Sequence, residues 1–211
     1  MCFSPTASFF ASIGLATLGV QTLRIAEKKE KILAAAPLMF ALQQGIEGVQ
    51  WLALGHGQAN MIIGYAFLFF ALLVWPIYIP FAVFQLDDAR RSILRWFVMF
   101  GAAISIYFLW ILLSTPLSIE VVNKHIIYTI DFPLKISGVA LVYVSVICLP
   151  MLISSQSRIC TLGILALFSA FVAGVFSLAA FISVWCFFAA VISSFIFFIV
   201  YHQRKNGRVR A

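Results

Sequence analysis

Apolar runs of about 20 residues follow one another along almost the whole chain, and they constrain its fold more than any other feature. Charges and helix breakers separate five such runs, and the sixth apolar stretch, Ile159–Tyr201, is 43 residues long. A helix needs about 20 predominantly apolar residues to cross a bilayer, so the long stretch suffices for two crossings. Charged residues make up 10% of the chain, against roughly 25% in soluble domains. The sequence therefore predicts an all-α membrane protein with seven transmembrane helices.

The predicted organisation is a single seven-helix membrane domain over residues 1–203 and a short basic cytoplasmic tail over residues 204–211. The turn inside the long run is expected near residues 174–180. Pro76 and Pro80 interrupt the third span and are expected to kink it. The predicted spans lie at about residues 4–23, 33–54, 61–84, 93–113, 136–153, 159–177 and 181–201.

The basic residues predict the orientation of these helices. Twelve of the 14 lysines and arginines follow the first, third, fifth and seventh spans, and only Lys124 and Lys135 lie on the opposite side. Cytoplasmic loops are enriched in Lys and Arg, so the amino terminus is predicted outside and the carboxyl terminus in the cytoplasm. This bias also explains the net charge of +7, and the lipid bilayer rather than nucleic acid is the predicted partner.

The outer connection between the fourth and fifth spans is rich in β-branched residues. Its two halves, Ile119–Val122 and Ile126–Ile130, flank the sequence Asn123-Lys124-His125. Short β-branched runs on either side of turn residues are typical of a β-hairpin. We therefore expect a short hairpin that covers the outer mouth of the helical bundle.

Glu47 is the one acidic residue within the predicted spans. A carboxylate in hydrocarbon is costly unless it is protonated, paired or hydrated, so intramembrane acids often mark functional sites. Gln43, Glu47 and Trp51 recur at four-residue steps and share one helix face, with Gln44 beside them. Counting along the second span places this face in the outer third of the membrane.

Other polar side chains map to the same outer level as Glu47. Together they predict an outward-facing polar pocket beneath the hairpin. Structural roles are the alternative, because small-residue stripes pack helices, tryptophans anchor membrane boundaries, and a protonated Glu47 would join two helices. The additional pocket candidates are Cys2, Ser4, Tyr107, Tyr143, Ser183, Trp185 and Cys186.

Three functions remain open from these residues. The first is binding or transport of a small molecule or lipid in a pocket around Glu47. The second is an intramembrane enzyme with Cys2 or Cys186 as nucleophile and Glu47 as general acid or base. The third is a sensor or assembly subunit without catalysis. No cofactor or metal is predicted, because the chain lacks zinc-hydrolase, serine-hydrolase and phosphate-loop motifs and its three histidines lie outside the spans.

Several blocks of the sequence resemble a bacterial family of multi-pass membrane proteins of unknown function. The resemblance covers essentially the whole chain and implies the multi-pass architecture and a location in the bacterial inner membrane. Members of that family often carry His-Gln where this chain has Gln43-Gln44, so no metal-ligand or proton-shuttle role is carried over to this position. The blocks are Met1-Cys2-Phe3-Ser4 with Ala7-Ser8-Phe9, then Gln43-Gln44 with Glu47-Gly48 and Trp51, then Trp75-Pro76, and the segment Ser183–Ala190.

Overall fold

A computed structural model describes residues 4–122, 125–133, 136–176 and 180–209 of the chain. In these residues the chain forms apolar helices and one two-stranded sheet. The helices are α1 (Pro5–Ile25), α2 (Lys31–Ala34), α3 (Ala36–Ala53), α4 (Gln58–Leu68), α5 (Trp75–Leu86), α6 (Arg91–Ser114), α7 (Ile136–Leu152), α8 (Ser157–Phe176), α9 (Phe181–Ser193) and α10 (Phe195–Val209). A π-helical segment, Phe69–Val74, joins α4 to α5, and the strands are β1 (Ser118–Val122) and β2 (His125–Thr129).

Six helical stretches of the described residues are long and apolar enough to cross a membrane, which confirms a multi-pass membrane architecture. The seventh apolar helix, α7, has 17 residues and extends about 25 Å, less than a hydrocarbon core of roughly 30 Å. The structure thus supports seven apolar helices, six of them of spanning length. Those six are Pro5–Ile25, Lys31–Ala53, Gln58–Leu86, Arg91–Ser114, Ser157–Val175 and Phe181–Lys205.

Pro76 changes the hydrogen-bond register at the centre of the third apolar stretch. The Trp75 N–H donates to the Phe70 carbonyl five residues back, as in a π-helix. In that register the Ala71 carbonyl would accept from residue 76, but proline has no N–H. The Tyr143 hydroxyl on α7 donates to the Ala71 carbonyl instead. The stretch therefore remains helical through both prolines, and a side chain from α7 satisfies the backbone group that Pro76 leaves unpaired.

Helix α6 packs against the start of α5 in direct backbone contact. A β-carbon on Gly101 would lie 1.9 Å from the Pro76 carbonyl oxygen and 2.9 Å from its carbonyl carbon. Helices approach this closely in membranes only where a small residue faces the neighbour. Gly101 thus fixes the position of α6 next to the π-helical segment.

One end of the bundle joins the loops that follow α1, α5 and α7, and we call it the basic end. Lys29 Nζ donates to the exposed Asp88 carboxylate at 2.6 Å, and the Ser155 N–H donates to Asp87 Oδ2 at 2.6 Å. These contacts bring together loops that the sequence places on the side rich in Lys and Arg. The charge bias read from the sequence therefore corresponds to one physical end of the molecule.

Asp87 is the best-satisfied acidic side chain at the basic end, although only 2% of it is exposed. It accepts hydrogen bonds from Ser154 Oγ at 2.8 Å, from the Ser155 N–H and Oγ at 2.6 and 2.7 Å, and from the Arg90 N–H at 3.1 Å. Burial opposes ionisation, but the bonds from Ser155, Ser154 and Arg90 outweigh it and hold the pKa of Asp87 below its usual value. Asp87 thus clamps the end of α5 to the loop between α7 and α8.

The predicted hairpin is confirmed, and it lies at the opposite end, which we call the hairpin end. Strands β1 and β2 pair antiparallel, and the turn residues 123–124 lie outside the described residues. Tyr128 stacks on Phe67 of α4 with ring centroids 4.8 Å apart. A β-carbon on Gly64 would lie 2.3 Å from Ile119 Cδ1, so the missing side chain lets β1 dock against α4.

Candidate functional site

Four polar side chains of α3 form a fully buried set that we call the polar stripe. They are Gln43, Gln44, Glu47 and Gln50, and each is 0% exposed. At 3.6 residues per turn, three of them lie within roughly 60° of one another around the helix axis, with Gln44 to one side. The opposite face of α3 packs on α1, where Gly48 contacts the Phe9 ring. The stripe therefore faces the interior of the bundle and extends about 10 Å along α3.

Each of three stripe residues is hydrogen-bonded to a different helix. The bonds connect α3 to α4, α5 and α9 and so hold the stripe at the centre of the bundle. They run from Gln50 Nε2 to Asn60 Oδ1, from Trp75 Nε1 to Gln43 Oε1 at 2.6 Å, and from Ser183 Oγ to Glu47 Oε1 at 2.6 Å.

Several other atoms of this region are buried without a hydrogen-bond partner among the described residues. Both polar atoms of the Gln44 side-chain amide, Nε2 and Oε1, the Gln43 Nε2 and the Gln50 Oε1 are in this state, as is the indole N–H of the half-buried Trp51. An unsatisfied buried polar group costs about 1–3 kcal/mol. In native proteins such groups usually pair with water, an ion or a ligand. The stripe thus has unused donors and acceptors in the core.

Trp185 and Tyr143 form an aromatic layer next to the stripe. The Trp185 indole N–H donates to Ser169 Oγ at 3.1 Å and to the Ala166 carbonyl at 3.2 Å, which fixes its ring against α8. Tyr143 meets this ring edge to face, with centroids 5.4 Å apart. Both aromatic side chains are therefore held in place by a hydrogen bond to a neighbouring helix.

Cys186 lies beside the Gln43 amide and is a free, buried thiol. It follows Trp185 directly on α9 and lies one turn after Ser183, so the predicted Ser183, Trp185 and Cys186 all belong to the region of the stripe. Buried cysteines in apolar surroundings are normally inert, whereas reactive ones lie in electropositive, partly exposed sites. Cys186 is buried and lines an apolar cavity, so its surroundings are those of an inert cysteine.

Two cavities lie in the interior of the bundle, and Tyr143 lines both. The larger one, of about 230 Å³, lies under β2. The smaller one, of about 50 Å³, lies at the centre, where its lining residues Trp75 and Cys186 both contact Gln43. The residues that line the larger cavity include Phe108, Tyr128, Phe132, Val139, Tyr143 and Phe181. Both cavities are lined mainly by apolar side chains, and none of the four stripe residues is among the residues that line them.

Two of the predicted site residues make contacts away from the stripe, and a third is not described. Ser4 caps α1, where its Oγ accepts a hydrogen bond from the Ala7 N–H at 3.2 Å. Tyr107 is half-buried, and its ring contacts are with Phe108 and Trp110 on the same helix. Cys2 lies outside the described residues.

Two residues of this region are missing from the sequence prediction. Gln50 lies two turns after Gln43, and this seven-residue spacing within an apolar span is a signal that could have identified it. Trp75 belongs to a block that carries the family resemblance, but no spacing relates it to Gln43, because their hydrogen bond depends on how α5 packs against α3. Among the described residues, no group of three or more His, Cys, Asp or Glu side chains is placed to hold a metal ion.

One protein family covers the whole chain. The model of DUF6629, a family of unknown function, matches residues 1–211. The chain belongs to DUF6629. No curated protein and no solved structure matches the chain. Membership agrees with the predicted resemblance to a family of unknown function and leaves the chemistry of the stripe to be argued from its own residues.

Proposed function

We propose that this member of DUF6629 crosses the bacterial inner membrane seven times, with the hairpin end outside and the basic end in the cytoplasm. Two contacts support the seventh crossing. Helix α7 follows the hairpin, and Ser154 and Ser155 after its carboxyl end bond to Asp87 at the basic end. Tyr143, in the middle of α7, bonds to the Ala71 carbonyl in the middle of the third apolar stretch. A 17-residue helix is at the lower limit of roughly 17–25 residues for a span.

We further propose that the chain binds a small amphipathic molecule or lipid between the hairpin and the polar stripe. Its polar group would bond to the stripe, and its apolar part would occupy the cavity under β2. The observation that carries this proposal is the pair of unsatisfied amide atoms on the fully buried Gln44. Burying two polar atoms that form no hydrogen bond with the described residues is costly. A ligand with its own donor and acceptor would satisfy both atoms.

The composition of the region supports a binding site of this kind. Small-molecule sites combine a mainly apolar lining with a few polar groups that orient the ligand. Here the apolar lining comes from β2, α6, α7 and α9, and the polar groups come from α3. A volume of about 230 Å³ is below the roughly 300–1,000 Å³ of drug-sized pockets, so the expected ligand is small or inserts a single chain.

The binding hypothesis has more support than the enzyme hypothesis. A nucleophile needs an activating neighbour and access to its substrate. The Cys186 thiol is buried beside the Gln43 amide and an apolar cavity. The Glu47 carboxylate accepts a hydrogen bond from Ser183 at 2.6 Å, an arrangement that also serves to join α3 and α9. Structural roles account for both contacts, so binding is the proposed activity.

Replacing Gln44 with leucine tests this proposal. We expect Gln44→Leu to keep the melting temperature in detergent or raise it, because no internal hydrogen bond is lost and unsatisfied groups are removed. We expect it to lower the amount of co-purifying ligand about tenfold, which corresponds to roughly 1.4 kcal/mol of lost ligand contacts. Mass spectrometry of extracts from protein purified in mild detergent measures this amount.

The matched control is Gln21→Leu, the same change at an exposed position of α1. It should carry as much ligand as the wild type. If wild-type protein contains no co-purifying molecule, or if Gln44→Leu retains it fully, the stripe does not bind a ligand in the proposed way.

A further inference from the structure

A groove between α8 and α10 at the basic end combines a cationic rim with an apolar interior. Its volume is about 170 Å³, and it lies far along the bundle from the hairpin. Two of its phenylalanines are more than half exposed, Phe195 at 51% and Phe198 at 55%. The rim holds Arg158, Thr161 and His202, and the interior is formed by Leu165, Phe195 and Phe198.

The guanidinium of Arg158 is available to an anion. Its contact within the protein is a long hydrogen bond of 3.4 Å from Nη1 to the Ile199 carbonyl. The ion pairs found among the described residues both belong to Asp88. The nearby carboxylate of Asp87 already accepts four hydrogen bonds from other donors. The rim therefore carries a positive charge that the described side chains do not neutralise.

The arrangement of the groove matches the two parts of a phospholipid. Arg158 lies at the start of α8, at the level of the loops, and Leu165 lies about 10 Å deeper along the helix. Anionic headgroups bind basic pockets between transmembrane helices at the cytoplasmic surface, and acyl chains cover the apolar surface below. The basic rim and the exposed phenylalanines occur in this order along the groove.

We propose that this groove binds one anionic phospholipid, with the phosphate on Arg158 and His202 and an acyl chain along Leu165 and Phe198. The site lies at the basic end, away from the polar stripe at the centre of the bundle, and does not depend on the function proposed for the stripe. The occupant is a lipid rather than a free phosphate, because the interior of the groove is formed by Leu165, Phe195 and Phe198, and a phosphate alone would make no contact with it.

Native mass spectrometry of the full chain in mild detergent, titrated with phosphatidylglycerol, tests this site. We expect one phosphatidylglycerol to remain bound to the wild type. Arg158→Gln should weaken this binding about fivefold, the effect of roughly 1 kcal/mol for one basic residue near an anionic headgroup. The matched control Arg95→Gln removes the same charge from an exposed position at the same end and should bind as the wild type does.

A second variant keeps the test independent of the charge. Thr161 is exposed and lines the groove, so Thr161→Phe should fill the groove without disturbing the core, and it should also reduce retention of phosphatidylglycerol. Equal losses in Arg158→Gln and Arg95→Gln would overturn the proposal in favour of non-specific attraction. Equal binding of phosphatidylcholine, or displacement of the lipid by inorganic phosphate at matched concentration, would overturn it as well.

Discussion

Gly101→Ala is expected to prevent the native packing of α6 on α5. The new β-carbon would lie 1.9 Å from the Pro76 carbonyl oxygen, and both contact atoms belong to helix backbones that cannot move aside separately. Overpacking in cores costs typically 1–3 kcal/mol, and a backbone contact this short places the cost at the upper end, about 3 kcal/mol or more. We expect a large loss of folded protein, measured as the yield of monodisperse protein and its melting temperature in detergent.

This contact also connects the fold to the candidate site. Pro76 follows Trp75, which donates to Gln43 of the polar stripe. A shift of α5 that relieved the clash at Gly101 would therefore move a hydrogen-bond partner of the stripe. We expect any folded Gly101→Ala protein to show reduced ligand retention as well.

The control for this prediction is Gly14→Ala. Gly14 lies inside α1, and a β-carbon there would meet no atom within 4 Å. Alanine in an open helical position is more favourable than glycine by roughly 0.5–1 kcal/mol, so this variant should be as stable as the wild type or more stable. Equal behaviour of the two alanine variants would show that α5 and α6 do not meet at Gly101.

Asp87→Asn is expected to destabilise the basic end. Asparagine keeps one acceptor oxygen and turns an amide donor towards the hydrogen-bond donors Ser154, Ser155 and Arg90. Hydrogen bonds to a charged acceptor contribute about 1.5–3 kcal/mol each, so the loss should be about 2–3 kcal/mol. The measurement is the midpoint of denaturant-induced unfolding at neutral pH. The neighbouring Asp88→Asn is the control and should change the midpoint little, because the ion pairs of Asp88 with Lys29 and Arg91 lie at the surface.

The lowered pKa of Asp87 also predicts that the stability of the fold depends on pH. The pKa of Asp87 is lower in the folded chain than its ordinary value, so its carboxylate stabilises the fold at neutral pH. This stabilisation is lost as the pH falls below about 4, the pKa of an unfolded aspartate, towards the lower pKa of the folded state. Melting temperatures between pH 7 and pH 3 should therefore fall less steeply for Asp87→Asn than for the wild type. Parallel curves would contradict the clamp at Asp87.

Most of the helices could be predicted because membrane spans are encoded locally. An apolar run and its breakers determine where a helix lies without knowledge of its neighbours. Helix α8 ends at Phe176 and α9 begins at Phe181, and residues 177–179 of the predicted turn lie outside the described residues. The hairpin was predictable for a similar reason, since β-branched runs flank its turn residues. The short length of α7, which has 17 residues, was already implied by the predicted bounds 136–153 of the fifth span.

The candidate site was only partly predictable because hydrogen bonds between helices depend on packing. The four-residue spacing placed Gln43 and Glu47 on one face of α3, and Ser183, expected at the same level, donates a hydrogen bond to Glu47. The bond from Trp75 to Gln43 and the clamp at Asp87 join residues 32 and about 67 positions apart, which no local pattern encodes. Composition also could not indicate that the cavities beside the stripe are mainly apolar.

An experimental structure of the full chain, purified in mild detergent without added ligand, would test most directly whether the polar stripe binds a ligand. We predict non-protein density that lies within about 3 Å of the Gln44 amide and continues into the cavity under β2, next to Tyr143. A cavity closed by side chains, with the amides of Gln43, Gln44 and Gln50 bonded to one another or to water alone, would contradict the proposed function.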